Sequence, residues 1–323
     1  MELNKLIMQF VKDADVEKAS KKQYDFAIRK FFRWVQAEKK DPHNLKRSDI
    51  INYNTYLKEA DMSQSTKKNY FTVVRLYFVW ASSNQYHDDV AAGIKSAKSN
   101  QDFKKHYLPA DKVKELLGKI DRTKEIGARN YAIISIMITN GLRRSEVTSM
   151  DIGDITTKYN KLGIMIKGKG RQAKDQFVQL DDSTMDAIND YLVLRYDHSD
   201  DRPMFASMNH ITKGKRITTS SLSRILKSQL NSINLTGKYY SCHSFRHTAA
   251  TLLIEAGYDL HQVQRFMRHK SPSTTQLYTR MIDEKISFEN PLSKALVKLI
   301  NTTPNQEHET LNIEFNTTTQ KTL

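Results

Sequence analysis

The sequence predicts a mainly α-helical protein with one small β-sheet or hairpin, divided into two domains. Its 323 residues make about two domains at roughly 100–200 residues each. A composition of 39% hydrophobic and 27% charged residues supports a buried core and excludes a chain disordered by composition. Helical periodicity runs through most of the chain and gives way to strand-like runs only between residues 154 and 181.

The first domain, residues 1–93, reads as helices. In SKKQYDFAIRKFFRWVQAEKK, Tyr24, Ile28, Phe31 and Val35 share one face of a helix starting near Ser20. Asp41-Pro42 breaks it. A second helix, KRSDIINYNTYLKEA, follows, and then a third capped by Ser63 or Ser65, with Tyr70, Val73, Val74, Tyr77 and Ala81 on one face. Lys21, Lys22, Arg29, Lys30, Arg33, Lys67 and Lys68 are expected on the solvent side. Residues 94–107, polar, lysine-rich and without periodicity, read as a linker.

The second domain, residues 108–289, opens at Leu108-Pro109 with the helix ADKVKELLGKI. The apolar helix ARNYAIISIMIT ends at Asn140-Gly141, residues that tolerate a left-handed closing conformation. GIMIK and QFVQL are strand-like and flank the basic loop GKGRQAKD. Helices resume with STMDAINDYLVLRY, SSLSRILKSQL, SFRHTAATLLIEAG, DLHQVQRFMRH and SPSTTQLYTRM. Residues 290–323 hold a short helix with Asn290 as N-cap and Pro291 at its first position. Its stripe is Leu292, Ala295, Leu296 and Leu299, and a polar tail without fixed structure follows.

A net charge of +15 spreads over both domains, +6 in residues 1–100 and +9 in 101–290, and vanishes in the last 33 residues. Such a spread suits a chain laid along a polyanion. No apolar run approaches the ~20 residues of a membrane span, and acids come too early in MELNKLIMQFVKDADVEK for a signal peptide. Cys242 is the single cysteine, which excludes an intramolecular disulfide and a cysteine-rich zinc site. A reducing, cytoplasmic compartment is expected.

Three segments carry chemistry. In GLRRSEV, Arg143 stands after a helix-ending glycine, where its guanidinium and free helix amides can bind one anion; an ion pair with Glu146 is the plain alternative. In CHSFRHTAATLLIEAG, His243 and Arg246 are three apart on one helix, with Ala249, Leu252, Leu253 and Ala256 as a packed face behind them. In MRHKSPSTTQLYTR, His269 precedes a helix capped near Ser271-Pro272 or Ser273, and Tyr278 lies about one and a half turns along it.

GLRRSE, GKGRQAKDQFVQL, HSFRHTAATLL and RHKSPSTTQLYTR resemble, in order and spacing, the tyrosine recombinase (phage integrase) family, Xer-like proteins and mobile-element integrases among them. LPADKVKELLGKI resembles the opening of its catalytic domain, and SKKQYDFAIRKFFRWV its helical, SAM-like core-binding domain. The likeness covers roughly residues 10–285 and implies a two-domain, C-shaped clamp with an α+β catalytic domain. It matches Arg143 and Arg246 to the catalytic arginines and Glu146 to the acid that supports the first. Lys169 matches the hairpin lysine, with Lys167 and Lys174 as neighbours. His243 and His269 match the two histidines, and Tyr278 the nucleophile. Relatives often have Gly before the second histidine, where this chain has Arg268, a difference that bears on local DNA contacts.

The resemblance implies site-specific recombination of double-stranded DNA through a 3′-phosphotyrosyl link, without ATP, metal or other cofactor. The role would be integration or excision of a mobile element, or resolution of DNA. Type IB topoisomerase-like relaxation and a non-catalytic DNA-binding regulator are the alternatives. Implied partners are an inverted-repeat core site and further copies of the chain, two per site and four in a synapse, with accessory DNA-bending proteins as candidates. DNA contacts are expected from Lys21, Lys22, Arg29, Lys67, Lys68, Lys167, Arg171, Lys174 and Arg268. With only about ten residues before the first core-binding helix, no arm-binding domain is expected.

Overall fold

The computed structural model describes residues 2–96, 106–168, 170–197, 199–269, 271–272, 275–276, 278 and 292–301; among these the side chains of 19, 292, 295, 298, 299 and 301 are not described. The chain forms two compact units. The first comprises Met1–Lys104 and Ser149–Val178, the second Lys105–Thr148 and Gln179–Leu323. No helix among the described residues is long and apolar enough to cross a membrane.

The first unit begins with a helix that the sequence reading did not include, α1 (Leu3–Asp13). Leu6, Ile7 and Phe10 are buried on one face of it, the i, i+4 spacing of an amphipathic helix. The three expected helices follow as α2 (Lys18–Ala37), α3 (Arg47–Glu59) and α4 (Gln64–Ser83). Ser63 caps α4 by accepting from the Thr66 amide at 3.2 Å. Phe31 and Tyr53 meet edge to face at 4.8 Å, as do Phe32 and Tyr77 at 5.2 Å, within one aromatic core. The Trp80 indole N–H donates to Asp13 at 3.1 Å and ties α1 to α4.

One surface assignment is corrected. Lys67 is buried, and its ammonium donates to the Lys58 carbonyl at 2.6 Å. A long aliphatic stem lets a lysine bury its body and place its cation on the last turn of α3, where backbone carbonyls lack partners. Lys22 and Lys68 are exposed, whereas Lys21 donates to the Lys12 carbonyl and Arg29 pairs with Asp25 at 2.8 Å.

The same unit holds a three-stranded sheet in the order β1 (Ile155–Lys158), β2 (Lys161–Ile166), β3 (Gln176–Gln179). GIMIK and QFVQL are strands as expected; β1 is additional. It pairs antiparallel with β2, Ile155 opposite Ile164 and Lys158 opposite Lys161. Tyr159 and Asn160 turn the hairpin, both at positive φ, the two-residue geometry that matches strand twist.

The second unit contains α5 (Ala110–Gly118), α6 (Glu125–Thr139), α7 (Arg144–Ser149), α8 (Asp182–Val193), α9 (Thr219–Ser232), α10 (Cys242–Glu255), α11 (Leu260–Met267) and α12 (Leu292–Asn301). Apolar α6 packs against α8, α9 and α10. Asp181 caps α8 through the Thr184 amide at 3.0 Å. The Leu108 amide donates to Thr248 at 2.8 Å, so the start of the unit is tied to α10.

The buried face of α10 differs from the expected one. Phe245, Thr248, Ala249 and Ala250 are buried, Leu252 and Leu253 are half-buried, and Ala256 is exposed. The helix is inserted by its first turns and emerges along its length. On α12, Leu296 is exposed with Val297 and Ile300; Asn290, Pro291 and the tail lie outside the described residues, as does most of the 94–107 segment.

Candidate active site

Where α6 ends, Gly141 takes φ +55°, and a Cβ there would stand 2.7 Å from the Met267 sulfur. Only glycine suits both the left-handed turn and that approach. The turn delivers Arg143 to the start of α7, one turn before Glu146, whose carboxylate is fully buried. Glu146 accepts from the Arg143 amide at 2.8 Å and from its guanidinium at 2.7 Å. The ion pair read as the plain alternative is therefore present, and it fixes the guanidinium of Arg143 rather than removing it from use: that side chain stays 22% exposed.

From α10 comes Arg246, buried, donating to the carbonyls of Gly141 and Met267. Burial and the neighbouring Arg143 pull its pKa down to about 9, so it is charged at neutral pH. His243 does not share this burial. It is exposed and lines a cavity of about 540 Å³ with Arg144, Arg224 and Lys227.

Tyr278 is 1% exposed. Its hydroxyl lies 2.7 Å from Nδ1 of His247, and its ring is parallel to that of His269, centroids 6.3 Å apart. Burial pushes the phenol up to about 12, against the pull of Arg246 and Arg143. His269 bonds Thr275 through Nδ1 at 2.8 Å. Burial, then the Arg246 and Arg143 cations, lower it to about 4. Burial, then His243 and Arg246, lower His247 to about 3. Both imidazoles are neutral at pH 7, and the tautomer of His247 sets which of the pair donates.

Arg143, Glu146, Arg246, His269 and Tyr278 thus belong to one cluster, with His243 at its border: the His243 and His247 rings lie 6.4 Å apart. Lys169 lies outside the described residues. Of its neighbours, Lys167 is exposed, Lys174 is held by Asp151 at 2.6 Å and by Asp154, and Arg171 pairs with Asp175. His247 was not singled out from the sequence, although its i+4 spacing from His243 puts the two on one helical face. Arg268 stands inside the cluster too, 3.5 Å from Glu146.

A phenol flanked by two fixed guanidiniums and neutral imidazoles suits attack on an anionic, tetrahedral centre. Charge that grows on the reacting group meets donors already in place.

Residues 106–285 match the Phage integrase family, and residues 3–88 match the N-terminal SAM-like domain of phage integrases. The chain belongs to the phage integrase family. It is 36% identical over 195 residues to tyrosine recombinase XerC of Caldanaerobacter subterraneus subsp. tengcongensis, covering 58% of this chain and 52% of that protein. It is 33% identical over 175 residues to XerC of Pelobacter propionicus, covering 54% and 55%. The matched region spans about half the length of these relatives. The fold resembles the XerH site-specific recombinase in a post-cleavage complex with palindromic difH substrate (TM-score 0.67, 21% identity, 89% of this chain and 84% of that one). It also resembles a lambda integrase(75-356) dimer bound to a COC' core site (TM-score 0.64, 15% identity, 86% and 95%).

Proposed function

We propose that the protein is a tyrosine site-specific recombinase that cuts and rejoins duplex DNA through a 3′-phosphotyrosyl intermediate. One observation carries the reading: Tyr278 is enclosed with Arg143, Arg246 and His269 in one cluster, with Arg143 fixed by a buried carboxylate. In the reaction the Tyr278 oxygen attacks the scissile phosphorus while the 5′-oxygen departs. The phosphorane gains negative charge, which Arg143 and Arg246 stabilise more than they stabilise the ground state. The phenol proton passes to an imidazole, His243 being the assigned acceptor, although the imidazole on the phenol in this structure is that of His247. Lys169 protonates the leaving 5′-oxygen. The phosphotyrosyl bond keeps the energy of the phosphodiester, so rejoining needs no ATP, and no step calls for a metal.

Residues 1–93 serve as the core-binding domain and 108–289 as the catalytic domain, joined through 94–107. The chain acts in the cytoplasm on an inverted-repeat core site, two copies per site and four in a synapse. Its role is integration or excision of a mobile element, or resolution of DNA. Exposed Leu296, Val297 and Ile300 on α12 favour docking of that helix on a neighbouring copy, since an isolated ten-residue helix is marginal in water. A suicide substrate, nicked so that the cleaved end diffuses away, tests the activity by trapping protein on DNA. Strand exchange between two duplexes, as opposed to relaxation of one, separates recombination from topoisomerase action. A protein that binds DNA and never traps is a regulator.

A further inference from the structure

We propose that Arg268 is a positioning residue that braces both Arg143 and Arg246, rather than a contact to DNA. The inference rests on the catalytic reading above. Arg268 ends α11 at φ 53°, ψ 44°, a left-handed conformation that is unfavourable for a residue with a Cβ and costs glycine almost nothing. Such strain persists where the surroundings hold it. Here the side chain supplies the hold. It is 14% exposed and turns inward along the turn at Gly141. One terminal nitrogen donates to the Phe266 carbonyl at 3.0 Å, and the other to those of Asn140 at 3.1 Å and Gly141 at 3.2 Å.

Two of these contacts are shared with the arginines. The Gly141 carbonyl also accepts from Arg246, and Glu146 faces Arg268 at 3.5 Å while holding Arg143. The backbone carbonyl of Arg268 accepts from Arg143 at 3.2 Å. One residue thereby touches the support of each arginine. A planar guanidinium can serve several acceptors from fixed directions; a lysine ammonium is a single point. Among the described residues, a third cation beside the Glu146 carboxylate also leaves the cluster net positive, which favours an anion entering it.

The test uses the full chain with Arg268→Gly, which suits the backbone and so removes the side chain without unfolding the turn, and Arg268→Lys, which keeps the charge and loses the fork. Single-turnover cleavage of a suicide substrate at saturating protein is compared with the Kd for an intact site. For Arg268→Gly the rate is expected to fall about tenfold or more, as misplaced catalytic groups do, while Kd changes less than about threefold. Arg268→Lys is expected not to recover the rate. Wild-type cleavage by Arg268→Gly overturns the proposal, as does full recovery by Arg268→Lys. A loss in Kd equal to the loss in rate also overturns it and makes Arg268 a DNA phosphate contact. If the unmodified protein traps no DNA at all, the catalytic reading fails instead, a separate outcome.

Discussion

The hydroxyl of Tyr278 and Nδ1 of His247 share a hydrogen bond of 2.7 Å in a buried setting. Burial holds the His247 imidazole well below its usual range and pushes the Tyr278 phenol above its own, so both are neutral and proton transfer between them is unfavourable. In this state His247 keeps the phenol in place and does not ionise it.

Replacing His247 with Leu removes this hydrogen-bond partner, a loss of about 0.5–1.5 kcal/mol. Urea unfolding is expected to show that loss, and to show a smaller one when the same change is made in Tyr278→Phe, which lacks the hydroxyl. Equal losses in both backgrounds would mean that the hydrogen bond contributes nothing.

Glu146 is the carboxylate for Arg143 and Arg268. Its replacement by Ala removes that buried counter-charge and is expected to cost about 3–5 kcal/mol; Glu146→Gln, which keeps one accepting oxygen, should cost less. A change below 1 kcal/mol in Glu146→Ala would show that the ion pairs add little to the folded state.

Arg143→Ala and Arg246→Ala are expected to slow cleavage by about 10² or more, with a much smaller effect on site affinity, which draws on many other cations. Comparable losses in both quantities would make these arginines phosphate clamps. Chelation with EDTA is expected to leave cleavage unchanged; its abolition would require a metal step.

His247 and His269 titrate near 3 and 4 when folded and near 6.5 when unfolded. Below about pH 6.5 the unfolded chain takes up protons that the folded chain refuses, so stability is full above that pH and falls as pH drops toward 4 and then 3. Circular dichroism melting at pH 7.5 and pH 5 is the measurement, because both tryptophans, Trp34 and Trp80, lie in the other unit. A lower Tm at pH 5 is expected, with less of a drop in a His247→Asn, His269→Asn variant; a Tm that does not change with pH contradicts the assignment.

The long helices are legible in the sequence because their apolar spacing and caps are local: Ser63 before α4 and the Asn140-Gly141 stop of α6 stand where they are expected. The strand β1 is not, since three of its four residues are exposed and no alternation marks it. Its turn uses Tyr159-Asn160 in place of a glycine signal. Lys67 is read as solvent-facing because a lysine's stem carries no sign of where its amine ends. The arginines, Glu146, His269 and Tyr278 are named through the family resemblance, their own spacing being a weak signal, and the structure brings them into one cluster. His247 and Arg268 were missed as partners because the first depends on Tyr278 folding back onto α10 and the second on a left-handed turn, both products of tertiary packing.

The central claim is that Tyr278 is the nucleophile. The direct measurement is mass-spectrometric mapping of the peptide that carries DNA after trapping on a suicide substrate. The account predicts a phosphotyrosyl adduct at Tyr278, and no adduct from Tyr278→Phe despite retained site binding. An adduct on another residue, or one that survives Tyr278→Phe, would contradict it.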